Sequence, residues 1–192
     1  CALGIFAGTF SGLLIIGNLT PIATGNGLSL AVAVQGVSAF AAGNAVGRIA
    51  WGYLFDRIRY LAIPASLATF AVALILLGIS SNAAAFLPVA VFLGFGFGAN
   101  FVVYAAALTR RFGVDAFARL YPICFLGYGL AGVTGPALGG YLADTTGSYT
   151  TAMHISIGLL VAATAATGLG LTAFGDRTPA FETRGESAAR AN

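Results

Sequence analysis

Charge is what this sequence has least of. Only 8% of its 192 residues are charged and 58% are hydrophobic, where a soluble domain carries roughly 25% charged residues. That shortage excludes a water-soluble globule and points to an integral membrane protein. Lysine is absent, and all nine basic residues are Arg. Cysteine is limited to Cys1 and Cys124, in or beside apolar stretches. Neither has pairing or ligand spacing, so no disulfide framework, metal or other cofactor is expected. The single histidine, His154, reads as a hydrogen-bonded interface residue rather than a proton relay. No acidic residue falls within an apolar stretch, so proton coupling through a carboxylate of this chain has no support.

What the sequence does have is six apolar stretches, at about 2–22, 28–50, 60–79, 84–108, 118–143 and 150–174. Each is long enough to cross about 30 Å of hydrocarbon at about 1.5 Å per residue. The expected fold is therefore an all-α membrane protein with six transmembrane helices. Residues 175–192 read as a charged, disordered cytoplasmic tail. The arginines fall on one side of this arrangement: Arg48, Arg57 and Arg59 mark the turn that closes the second stretch, Arg110, Arg111 and Arg119 the turn between the fourth and fifth, and Arg177, Arg184 and Arg190 the tail. The opposite turns, 20–27, 80–82 and 144–149, hold a single charge, Asp144. Positive charge collects on the cytoplasmic side, which places both ends there, in a multi-pass plasma (bacterial inner) membrane. The net charge of +3 is then a topology signal, and no nucleic-acid partner is expected. Because the chain opens on Cys1 and is apolar from Ala2, it reads as the later part of a longer polypeptide.

Polar side chains inside the stretches mark a candidate cavity. In the second, Gln35 and Ser38 share a face and Asn44 points roughly opposite. The fourth carries Asn100 and Tyr104 four residues apart, after the alternating glycines Gly94, Gly96 and Gly98. The fifth has Tyr121, Cys124 and Tyr128 in one stripe, then Gly135, Pro136, Gly139 and Gly140, suited to close and bendable helix packing. Gln35, Asn100, Tyr104, Tyr121 and Tyr128 are the expected cavity contacts, with interhelical hydrogen bonding as their ordinary alternative role. The third stretch has almost no polar side chains and reads as peripheral.

The chain also repeats itself. Gly47, Gly52, Tyr53, Leu54 and Asp56 match Gly135, Gly140, Tyr141, Leu142 and Asp144 at an offset of 88 (140 − 52). One copy closes a stretch running inward and the other a stretch running outward. The repeat is thus inverted, three helices plus three, a pattern found in secondary transporters.

The segment from Gly52 to Arg59, Gly-Tyr-Leu-Phe-Asp-Arg-Ile-Arg, resembles the G-x-L-x-D-R-x-G-R signature of the major facilitator superfamily, without its last Gly. Ala131-x-x-x-Gly135-Pro136-x-x-Gly139-Gly140 resembles the antiporter signature of that superfamily, with Ala for its first Gly. The segments 17–23, 43–48 and 140–149 are similar to the oxalate/formate antiporter and monocarboxylate transporter branch. The resemblance implies the C-terminal half of a twelve-helix transporter, with the missing N-terminal six-helix half as partner, helices one, two, four and five lining the cavity, and the lipid bilayer around three and six. It further implies secondary active transport of a small organic anion, a carboxylate, by alternating access. Gly47, Arg48, Gly52, Asp56, Arg57 and Arg59 would form a cytoplasmic gate, or alternatively only fix topology. The branch holds dicarboxylates with cationic side chains inside its cavity helices; here the second stretch offers Gln35 and the fifth Tyr128 in such a place, which counts against oxalate itself. A neutral metabolite or drug is the alternative substrate. A six-span intramembrane protease needs a G-x-S-G turn, and Thr9-Phe10-Ser11-Gly12 lacks its first Gly, so no enzyme is expected.

Overall fold

The computed structural model describes residues 1–173, so the expected tail at 175–192 lies outside the described residues. Regular structure among them is entirely helical: α1 (Ala2–Gly17), α2 (Leu19–Gly25), α3 (Leu30–Ile58), a short 3₁₀ turn (Arg59–Leu61), α4 (Ala62–Gly78), α5 (Ala83–Thr146) and α6 (Thr150–Ala173). Three helical stretches are long and apolar enough to cross a membrane: Leu30–Gly78, Ala83–Thr146 and Thr150–Thr172. The α1–α2 pair, bent by 57°, makes a fourth if it is one span.

Local chemistry sets the breaks. The Ser29 hydroxyl accepts from the Val32 N–H to open α3, and Asn82 Oδ1 accepts from the Ala85 N–H at 2.9 Å to open α5. Gly147, left-handed at φ 73°, closes α5 by donating to the Ala143 carbonyl. The α1–α2 bend follows from Pro21, which offers no N–H to the carbonyl one turn back. Between α3 and α4 the chain turns on Arg59, at φ 52° and ψ −128°. A side chain there is strained, and a glycine would adopt that conformation freely.

Two boundaries differ from the expectation. Helix α3 does not stop near residue 50 but runs on to Ile58, because Trp51 and Phe55 are buried and hold its last turns against the protein. The polar segment 109–117 is helical except at Gly113, whose φ of 81° and ψ of 169° interrupt α5.

Packing partners show what happens at Gly113. Gly4, Gly8 and Gly12 of α1 face Tyr104, Asn100 and Phe97 in turn, so α1 runs antiparallel to the part of α5 before Gly113. After the break, Gly127 faces Ala2 and Phe6, Gly135 faces Phe10 and Leu14, and Gly139 faces Leu14 and Asn18. That part runs parallel to α1. The two arms of α5, 83–112 and 114–146, therefore run in opposite directions and Gly113 is a reversal. Ring pairs across it agree: Phe101 lies 5.7 Å from Tyr128 and 6.3 Å from Phe125 between centroids.

The closest contact is between α3 and the first arm. Gly43 and Gly47 rest on the backbone of Val91 and Phe95, while Gly94 and Gly98 rest on that of Phe40 and Asn44. Two pairs of glycines four apart thus meet reciprocally, and the helices run parallel. In an apolar solvent such backbone proximity, rather than the hydrophobic effect, drives helix association. On the other side Gly96 lies against Phe70 of α4 and Gly78 near Met153 of α6. Phe70, Leu74 and Leu77 of α4 are buried in the shared core, leaving Val72 and Ile75 exposed.

Two stability predictions follow from these contacts. Gly94→Val would push its side chain into the immovable carbonyl of Phe40, and a loss of about 1–3 kcal/mol is expected, read as a lower midpoint in thermal unfolding in detergent; an unchanged midpoint would refute the contact. Arg59→Gly relieves a positive φ, and a gain of about 1 kcal/mol is expected in the same assay; a loss would mean that the Arg59 side chain holds the turn.

Candidate functional site

The α3–α5 seam fixes the depth of Arg48. Ten residues of helix (58 − 48) follow Arg48 in α3, which sets it about 15 Å from that end at about 1.5 Å per residue. Trp51 Nε1 donates to the Phe95 carbonyl at 3.1 Å and locks the register. Held in this way, Arg48 donates from Nε to Asn44 Oδ1 at 3.3 Å and lays its guanidinium 4.3 Å above the Phe101 ring.

Phe101, which also meets Phe97 at 5.4 Å, leads into a ladder of rings on the second arm of α5. Beyond the 5.7 Å step to Tyr128 come Phe125 at 4.9 Å, Tyr121 at 5.0 Å and Phe117 at 4.8 Å. The four second-arm residues lie three or four apart in sequence, so one helix face presents all of them. Each is half-buried. An open groove of about 640 Å³, a volume suited to a small molecule, starts at Phe101 and runs along α3 and the first arm past Phe55, Asp56, Val102 and Thr109 to Arg110.

The structure sorts the expected site residues into several groups. Tyr121 and Tyr128 stand in the ladder that Arg48 meets at Phe101. Asn100 and Tyr104 are elsewhere: they are 2% and 0% exposed, packed on Gly8 and Gly4 of α1, and the Tyr104 hydroxyl has no hydrogen-bond partner. Gln35 is exposed on α3, away from both groups. Among the motif residues Gly47 is buried in the seam, Gly52 touches Val102, and Asp56 lines the groove. Arg57 bonds and stacks on Tyr53 one turn back, and exposed Arg59 makes the α3–α4 turn. Both Arg48 and Arg57 thus engage neutral partners. Gly135 and Gly139 meet α1, the Pro136 carbonyl accepts from Asn18 Nδ2 at 3.5 Å, and Gly140 faces open space. His154 is exposed, and Ser11, buried, donates to the Ser156 carbonyl at 3.3 Å.

Sequence reasoning treated Arg48 as part of a surface turn and overlooked Phe101, Phe117 and Phe125. The signal for the ring ladder was their spacing with Tyr121 and Tyr128. For Arg48 it was the apolar run Ile49–Ala50–Trp51, which continues the helix beyond it.

Comparison with known proteins adds the family. The profile of the Major Facilitator Superfamily matches residues 1–191. The chain is similar to YhjX of Escherichia coli strain K12, described as an uncharacterized MFS-type transporter, with 28% identity over 127 residues. That alignment takes in 64% of this chain and 31% of YhjX, so the chain spans about a third of the relative it matches.

The buried, unpartnered phenol yields a prediction. Tyr104→Phe removes a hydroxyl that pays desolvation without a hydrogen bond, and unchanged or higher thermal stability is expected. A loss above about 1 kcal/mol would reveal a partner for that hydroxyl.

Proposed function

Because this chain belongs to the major facilitator superfamily, a family of transporters and not enzymes, we propose that it is the C-terminal six-helix half of a secondary transporter that moves a small organic anion by alternating access. The observation that carries the substrate class is Arg48. It is held well inside α3, beside rings and a groove, instead of at the helix end. Arg48 is exposed on α3 in the described structure; a guanidinium facing a cavity within the membrane would favour a negatively charged partner, and its planar fork matches a carboxylate. The resemblance to the oxalate/formate antiporter and monocarboxylate transporter branch supports the same class.

Six spans are supported by the breaks. Stretches of 49 and 64 residues would reach about 75 and 95 Å as straight helices, far beyond a bilayer of about 30 Å. The turn at Arg59 divides the first and the reversal at Gly113 the second. With α1–α2 and α6 this gives six, and the inverted repeat pairs them three with three. Both ends then face the cytoplasm, residues 1–174 forming the half and 175–192 a cytoplasmic tail.

An N-terminal half of the same polypeptide completes the cavity. Support comes from the relative's greater length and from two unpartnered apolar stripes, Val34, Ile49 and Tyr53 on α3 and Ile123, Leu130 and Val133 on the second arm of α5. Tyr121 and Tyr128 contact the anion with Arg48. Asn100, Tyr104 and Gln35 join the cavity when α1 and α3 shift, and Gly135, Pro136, Gly139 and Gly140 let α1 slide on α5. Asp56, Arg57 and Arg59 act at the cytoplasmic rim as a gate.

Counterflow in proteoliposomes of the complete transporter tests this. Uptake of a labelled carboxylate is expected to be accelerated by unlabelled carboxylate inside, and Arg48→Ala to lower it about tenfold or more, as for loss of a charged hydrogen bond. Wild-type uptake by a well-folded Arg48→Ala variant would remove Arg48 from the site and the anion with it.

A further inference from the structure

We infer that the anion carries one negative charge and a flat aromatic body, as an arylcarboxylate does. This rests on the anion reading above and on two further observations, the ring ladder and the charge of the groove.

The first concerns what surrounds the cation. Phe101 lies under the Arg48 guanidinium, Tyr128 meets Phe101 edge to face at 5.7 Å, and Phe125 stacks on Tyr128 at 4.9 Å. These rings are half-buried, so they keep apolar surface open to a guest. A short anion such as acetate or oxalate would satisfy the guanidinium and leave that surface wet. An arylcarboxylate places its carboxylate on the guanidinium fork and its ring in offset contact with Tyr128 or Phe125, within the usual centroid distance of about 4.5–7 Å. Tyrosine also tolerates a polar substituent on the guest, since its hydroxyl donates and accepts.

Charge favours a monoanion. Arg48 is the guanidinium that the described structure stacks on this ladder. The groove that begins at Phe101 carries the carboxylate of Asp56 further along. A second negative charge extending along the groove would meet the Asp56 carboxylate, in surroundings where an unpaired charge is costly. Arg110 lines the far end of the groove, beyond the ring ladder.

The test is counterflow in proteoliposomes of the complete transporter, with labelled benzoate as the probe and unlabelled benzoate, phenylacetate, acetate and oxalate as competitors. Benzoate and phenylacetate are expected to half-inhibit at concentrations about tenfold or more below acetate, the gain from burying and stacking one ring, with oxalate weakest. In Phe125→Ala that preference is expected to shrink to about threefold or less, whatever happens to the absolute rates, while Phe125→Tyr restores it. Equal competition by acetate or oxalate, or an aryl preference untouched by Phe125→Ala, overturns the inference but keeps the anion reading. No exchange with any of the four acids, in preparations that fold and bind lipid normally, overturns the anion reading itself.

Discussion

The structure depends on one contact: the backbone of α3 lying directly on the first arm of α5. Gly43, Gly47, Gly94 and Gly98 remove the side chains that would hold the two helices apart. In a bilayer no apolar driving force distinguishes a protein neighbour from lipid, so dispersion at such short range supplies the association. Everything near Arg48 inherits its position from this seam. Trp51 bonds the Phe95 carbonyl across it, and Arg48 reaches over it to Phe101. A wider spacing would break both contacts.

A second consequence is that the polar groups divide into two sets with different surroundings. Around Arg48 the partners are a side-chain amide and a ring face, both neutral, so its charge stays available. Against α1 the side chains of Asn100 and Tyr104 are shut away on glycines. A tightly packed interface that also buries an unpaired phenol combines a favourable and an unfavourable term.

Much of this was legible in the residues. Composition gave the solvent and the helical class, and Ser29, Asn82 and Gly147 mark helix ends by their chemistry. The missing glycine of the Asp56–Arg57 turn was also visible, and its cost appears as the positive φ of Arg59. The depth of Arg48 was not legible, because a charge was taken to end an apolar run, whereas here the helix is carried past it by Trp51 and Phe55. The orientation of Asn100 and Tyr104 was hidden for another reason. Spacing says that two residues share a face, but which neighbour covers that face is decided by Gly4 and Gly8, nearly a hundred residues away. The ring ladder needed the reversal at Gly113, which brings Tyr128 back to Phe101.

The most direct test of the account is electron microscopy of the complete transporter in a lipid nanodisc with a saturating aryl acid. Density for the acid is expected with its carboxylate on the Arg48 guanidinium and its ring against the Tyr128–Phe125 pair, and with Arg48 well inside the hydrocarbon layer. An Arg48 side chain in the headgroup region, with the acid bound elsewhere, would contradict it.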